Sequence, residues 1–337
     1  MKEDSKLQAL RKSCFNAEIF SEDVLNWIAK ENLWNIWVPK IYGGLEFSLT
    51  EGLEKLKKLA RIDGSLGWTV TLCSGANYFI GNLEPETARE VFHSSKATIL
   101  GGSGGVFGIA EKLGDNYKIS GTWRYATGAP YLSHFTLNAE IHENGKTLLN
   151  EDGSPKVLSF ILPRDDVRII EDWNTMGLKA SVTHSFEVKN TFVPERFSFI
   201  YNEFHQPQDI FKIPFSVFAD LTLWVNYIGM AEHFLAEAQA VKSVDALKNL
   251  EENLNFHNQQ IRRYSESIEA KIAAQEKISK DFIEEIHTSA SNSVKNISRN
   301  IIENYPYLGV KASQENHPLN QVFCDYFTAT QHHIFTK

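Results

Sequence analysis

Apolar positions along the chain follow three regimes in order: helical, strand-like, helical. Through residue 94 they recur at three- and four-residue steps. Ser21-Glu-Asp precedes Val24, Leu25, Ile28 and Leu33, a helix start followed by an apolar stripe. Ser48-Leu-Thr-Glu51 has the form of a capping box, in which hydroxyl and carboxylate satisfy free N–H groups at a helix start. The helix it predicts carries Leu53, Leu56, Leu59 and Ala60 and stops at Asp63-Gly64. A further helix is expected from Ser65 to Ile80, and a short one from Glu84-Pro85, with proline in its first turn.

From Ala97 the period changes. Glycine becomes frequent, and β-branched and aromatic residues alternate with polar ones. Gly114-Asp-Asn116 and Asn144-Gly145 are hairpin-type turns. Strands are expected at about 97–101, 106–112, 116–120, 122–126, 132–141, 156–162, 167–170 and 179–190, a spacing that suits a barrel or sandwich. Helical periodicity returns after residue 210. Phe215 to Val241 is apolar on more than one face, two charge-rich amphipathic helices follow near 244–277 and 279–304, and Pro318 starts a last one through Phe335. The fold class is α+β, with a helical domain over 1–95, a β-domain over 96–205 and a helical domain over 206–337.

A length of 337 residues allows ample core, and 42% hydrophobic with 23% charged residues is an ordinary globular balance. The net charge of −8, with no basic cluster, argues against a nucleic-acid partner. Three scattered cysteines make neither a disulfide framework nor a zinc site, so a reducing cytoplasm is expected. Met-Lys-Glu-Asp-Ser-Lys at the start is not a signal peptide, and no run is long and apolar enough for a membrane. The acids Asp281, Glu284 and Glu285 beside His287 read as a solvated helix face, and no metal is expected.

Two segments carry chemistry: Gly121-Thr-Trp-Arg-Tyr-Ala-Thr-Gly128, and Asn174-Thr-Met-Gly-Leu-Lys-Ala-Ser-Val-Thr183, which runs on to Phe192-Val-Pro194. Together with Val38-Pro39, Tyr42-Gly-Gly44 and Ala60-Arg-Ile-Asp-Gly-Ser-Leu-Gly-Trp68, they resemble the acyl-CoA dehydrogenase superfamily over almost the whole chain. His317-Pro-Leu319, Asp325 and Thr328-Ala-Thr-Gln-His332 resemble its two-component flavin-dependent monooxygenase branch. The resemblance implies an N-terminal helical domain, a middle β-domain and a shortened C-terminal helical bundle. It also implies FAD or FMN as cofactor, a small-molecule substrate, a separate flavin reductase, and a homodimer or homotetramer. The long apolar helix adds to that last expectation, since one neighbouring layer would not cover it.

In that family a strand aromatic and, two positions on, a hydroxyl lie against the flavin ring. Here they are Tyr125 and Thr127. Trp123 joins them as a pocket-lining aromatic, its alternative being a core ring. Gly102 and Ser103, inside Gly101-Gly-Ser-Gly-Gly105, are expected in a loop whose backbone N–H groups face the cofactor. No acid follows Asp325, and His332 or His333 stands where a carboxylate base would be wanted for dehydrogenation. His332 is therefore the catalytic candidate, handling the proton of a phenolic substrate. Three functions stay open: a reduced-flavin monooxygenase, which the histidine favours; an acyl-CoA dehydrogenase with a base elsewhere, such as Glu232 or Glu237; and a non-catalytic relative serving as partner subunit or small-molecule binder. Gln321 and Cys324, where the family usually has arginines, motivate the last.

Overall fold

The computed structural model describes residues 2–92, 98–241 and 247–335, with side chains from residue 7 onward. Five helices come first: α1 (Lys2–Cys14), α2 (Glu22–Lys30), α3 (Leu49–Ile62), α4 (Gly64–Asn77) and α5 (Pro85–Phe92). The capping box forms as expected. Ser48 accepts from the Glu51 N–H, and the Glu51 carboxylate accepts from the Ser48 N–H. α4 ends earlier than the periodicity suggests. Residues Tyr78–Asn82 tighten into a 3-10 turn, and the Tyr78 hydroxyl donates to the carbonyls of Ile210 and Ile213.

One mixed sheet follows, built from β1 (Leu100–Leu113), β2 (Asn116–Ala126), β3 (His134–Glu143), β4 (Lys146–Thr147), β5 (Val157–Pro163), β6 (Arg168–Ile170), β7 (His184–Pro194) and β8 (Ser198–Phe199). Its order is β6-β7-β2-β1-β3-β5-β8, with β4 on β3; β1 and β3 run parallel and the other pairs antiparallel. The expected strands 97–101 and 106–112 are one strand, and so are 116–120 and 122–126. Residue 97, the 95/96 boundary and the first residues of the 244–277 helix lie outside the described residues.

The glycine-rich run 101–105 is strand rather than loop. Gly101 pairs with Phe135 and Gly102 with Thr136, and the register slips between Ser103 and Val106. A Cβ on Gly102 would stand 1.7 Å from the Thr136 carbonyl oxygen, so only glycine lets β1 lie this close to β3. β7 starts later than expected because Lys179–Ser181 form a 3-10 turn between Leu178 and Val182, both at positive φ (52° and 37°).

The C-terminal layer holds α6 (Phe215–Val241), α7 (Lys248–Ala273), α8 (Lys280–Asn304) and α9 (Pro318–Ala329). α6 is apolar all round and packs on α3, α4, α7, α8 and α9. Each fully buried aliphatic or aromatic side chain there contributes about 1.5–3 kcal/mol by leaving water. α6 therefore finds its cover within one chain, and its apolar character gives no ground for a second copy. α7 and α8 are amphipathic. Leu250, Leu254, Ile261 and Ile268 of α7 face inward while charged residues face out. No described helix is long and apolar enough to cross a membrane.

Candidate active site

A cleft of about 640 Å³ opens between the sheet and the helices. α4 supplies Trp68, Thr71, Leu72 and Gly75; β1 supplies Gly101 to Gly105 and Phe107. Arg124, Tyr125 and Thr127 come from β2 and its end, and Trp173, Leu178 and Thr183 from the loop before β7. Phe215, Phe218, Ala219, Thr222 and Leu223 of α6 and Thr328, Gln331, His332 and His333 at the end of α9 close it. No carboxylate lines it among the described residues. Its size and its apolar wall with a few converging polar groups are those of a small-molecule site.

Five of the six residues singled out from sequence meet here: Tyr125, Thr127, Gly102, Ser103 and His332. Trp123 does not. Its ring is fully buried in the sheet's core, stacks on Phe186 at 5.5 Å and donates Nε1–H to the Asn138 carbonyl at 2.8 Å. Successive strand residues face opposite sides, but the bulge between Trp123 and Ala126 breaks that alternation, so residue parity does not carry over. Glu232 and Glu237 lie off the cleft. Glu232 accepts from Asn258, and Glu237 faces Arg11 and His233. His287 pairs with Asp220 at 3.1 Å, and no metal-binding cluster occurs among the described residues.

A closed hydroxyl chain holds one wall. Thr183 Oγ1 donates to Thr127 Oγ1 at 3.2 Å, Ser181 Oγ lies 2.8 Å from Thr183 Oγ1, and Ser181 also donates to the Leu178 carbonyl at 2.6 Å. The Gly128 N–H donates to the Ser181 carbonyl at 2.8 Å, tying the loop to the end of β2. Trp173 donates Nε1–H to the Leu178 carbonyl at 3.0 Å, and its ring meets Tyr125 edge-on at 5.8 Å. Ser103 is turned to structure, since its hydroxyl donates to the Arg124 carbonyl at 2.7 Å.

The opposite wall carries unsatisfied groups. Thr328 Oγ1 and His332 Nδ1 are buried without a hydrogen-bond partner. Burial, with His333 beside it, pushes the His332 imidazole down to about 4, so at neutral pH it is uncharged. Its ring lies edge-on to Trp68 at 5.7 Å. Such an imidazole can accept a hydrogen bond from a hydroxyl brought into the cleft, as can Thr328. Arg124 is exposed at the mouth, and its guanidinium makes no hydrogen bond or ion pair among the described residues. A second depression, lined by Arg164, Asp165, Asp166, Arg168, Glu187 and Lys189, pairs charges on its own wall, as in Arg168–Glu187 at 2.7 Å.

Sequence reasoning missed Arg124, Trp68, Trp173 and Thr328. The only local signal was for Thr328, four residues before His332 at the C-terminal end of α9.

No family model matches the chain. The indole-3-acetate monooxygenase of Pseudomonas putida is 29% identical over 226 residues, 66% of this chain and 56% of that relative. The oxygenase subunit HsaA of a flavin-dependent monooxygenase from Rhodococcus jostii is 20% identical over 68% of this chain and 61% of its own length. The chain thus matches little more than half the length of these curated relatives. Among solved structures, the HsaA monooxygenase from M. tuberculosis superimposes with a TM-score of 0.89, at 17% identity, over 98% of this chain and 93% of that one. XiaF from Streptomyces sp., in complex with FADH2 and glycerol, gives 0.79 at 18% identity over 98% and 90%. The fold is acyl-CoA dehydrogenase-like. Its three-part order agrees with the expectation from sequence; the Pseudomonas relative and the HsaA proteins are monooxygenases by name, that of Rhodococcus jostii a flavin-dependent one, and XiaF holds FADH2.

Proposed function

We propose that this protein is the oxygenase component of a two-component flavin-dependent monooxygenase. It would bind reduced FAD or FMN delivered by a separate reductase and hydroxylate a small aromatic compound. The observation that carries this is the cleft itself: an aromatic chamber with no carboxylate among its described residues, whose unsatisfied groups are a desolvated imidazole and the Thr328 hydroxyl. Dehydrogenation of an acyl thioester needs a base within hydrogen-bond reach of a carbon acid, and among the described residues no carboxylate lines the cleft to serve.

The residues suit a flavin. Tyr125 and the Thr127–Thr183 hydroxyls offer a flat, partly polar wall, and the open space beside Gly104 leaves backbone accessible. Bound reduced flavin would supply the electrons that activate dioxygen. The chain's own groups do the rest. Trp68, Phe215 and Phe218 exclude water; His332 Nδ1 accepts a hydrogen bond from a substrate hydroxyl and orients it together with Thr328. Arg124 receives an anionic part of the cofactor or substrate. Ile109 and Phe192, large apolar side chains exposed on the sheet, are residues a second copy would cover in a dimer or tetramer.

The test is anaerobic titration with reduced FAD and FMN, followed by oxygen, a flavin reductase, NADH and a panel of phenols and indoles, with products read by mass spectrometry. Hydroxylated product is expected. Bleaching of oxidised bound flavin by acyl-CoAs would place the protein among dehydrogenases, and absence of any flavin binding would make it a non-catalytic relative.

A further inference from the structure

Asp63, the N-cap of α4, and Asp325 of α9 are buried side by side, 2% and 3% exposed. Asp63 Oδ1 accepts from the Leu66 N–H at 2.9 Å, and Oδ2 from the Gln321 side chain at 2.7 Å. Asp325 Oδ1 accepts from the Leu178 N–H at 2.6 Å, while its Oδ2 is buried with no partner. A Cβ on Gly64 would stand 2.7 Å from Asp325 Oδ2, so the second carboxyl presses on the residue that follows the first. Nearby cations are engaged elsewhere. Arg11 of α1 donates to the carbonyls of Arg61 and Ile62 and faces Glu237, and Lys179 pairs with Glu18 at 2.9 Å. The Cys14 and Cys324 thiols beside the pair are kept neutral by burial.

Two carboxylates in a dry site with no ion-paired cation cannot both stay charged at an acceptable cost. The site also has a mechanical position. Leu178 lines the cleft on the loop that carries Thr183, and Asp325 lies on α9, which carries Thr328 and runs directly into the turn that holds His332. A Cβ on Gly177 would fall 2.2 Å from the Cys324 backbone, so loop and helix are in direct contact there.

We propose that Asp325, paired with Asp63, is a positioning residue of the cleft: the two carboxyls hold one proton between them, and in that state α9 grips the 177–183 loop and fixes the separation of the two walls. Burial raises both groups, Asp63 to about 6 and, with the Asp63 charge beside it, Asp325 to about 8. A carboxyl raised above its unfolded value contributes stability that is present at low pH and is lost as pH rises through the folded value. The grip therefore loosens above about pH 8.

The test compares wild type, Asp325→Asn, Asp63→Asn and Asp325→Leu by three readouts. The first is melting temperature between about pH 6 and about pH 9. It should fall with pH in wild type and flatten in both asparagine variants. The second is hydrogen exchange in the peptide covering residues 173–184. At about pH 9 it should be faster in wild type than in Asp325→Asn, and in Asp325→Leu it should be fast throughout. The third, which alone rests on the oxygenase reading, is flavin affinity. A weakening of about tenfold over this range is expected in wild type and none in Asp325→Asn. Asparagine variants that melt and exchange with the wild-type pH dependence would overturn the shared proton. An Asp325→Leu protein with wild-type exchange over 173–184 would overturn the positioning role. A wild type that binds no flavin at any pH counts against the oxygenase reading instead, and the first two readouts still decide the proposal.

Discussion

Two buried polar clusters hold the same loop by opposite ends and by different chemistry. At Thr183 the loop is held by hydroxyls, which both donate and accept: Thr183 lies within hydrogen-bond distance of Thr127 and Ser181, and Ser181 of the Leu178 carbonyl. At Leu178 it is held by a carboxyl of a pair that, once ionised, only accepts, leaving Asp325 Oδ2 without a donor. The hydroxyl end carries no charge and is indifferent to pH; the carboxyl end is stable only while it keeps a proton. A chain can thus anchor one loop with a fixed attachment and a titratable one, and here the fixed one lies against the cleft wall.

The largest test of that contrast is steric. Gly177→Val forces side-chain atoms into the Cys324 backbone, which cannot move aside without unpacking α9. A loss of about 3 kcal/mol in denaturant unfolding and a matching loss of flavin binding are expected. A variant with wild-type stability would show that the carboxyl end tolerates displacement.

Next is the hydroxyl end. Thr127→Val keeps shape and removes the hydroxyl, leaving Thr183 without its acceptor, at a cost of about 1–3 kcal/mol where the group stays dry. Flavin titration should show the loss by the same factor relative to wild type at every pH, since no charge is involved. Equal affinities for the two proteins would remove Thr127 from the contact.

A smaller effect separates His332 from the carboxyl pair by sign. Its folded value, about 4, lies below the ordinary 6.5, so the unfolded chain takes up the proton first. Stability from this group is present above about pH 6.5 and is lost as pH falls toward about 4, opposite to the Asp63–Asp325 trend. His332→Gln should flatten the acid limb of the melting-temperature profile while leaving the alkaline limb unchanged. An unchanged acid limb would mean that His332 is solvated.

The smallest is Arg124→Gln. An exposed guanidinium interacts through water, and about 0.5–1 kcal/mol in binding is expected, with no change in melting temperature. FMN should weaken if phosphate is the ligand, and riboflavin should not; a carboxylated aromatic substrate should weaken if Arg124 meets the substrate. No change for either would leave the guanidinium without a ligand role.

Local order was legible in the chain wherever one residue's neighbours in sequence are also its neighbours in space. Ser48 and Glu51 specify their cap, and Phe215 to Val241 is read to the residue because helix periodicity is a local property. The aromatic–hydroxyl spacing marked Tyr125 and Thr127, which do face the cleft, but the bulge that turns Trp123 into the core depends on pairing with β7 and left no mark in composition. The glycines at 101–105 looked like a loop because their flexibility is a local signal, whereas the close approach of β3 that requires them is not.

By itself the sequence determined the α–β–α order and the helix caps. Only the tertiary structure decided that α6 is covered within one chain, that Trp68, Arg124 and Thr328 share a cleft with His332, and that Asp63 meets Asp325 across 262 residues of sequence. The reason is physical. Propensity and capping act through bonds a few residues long. The charge state of a buried carboxyl, or the side of a strand a ring takes, is set by what packs against it, and those groups come from anywhere in the chain.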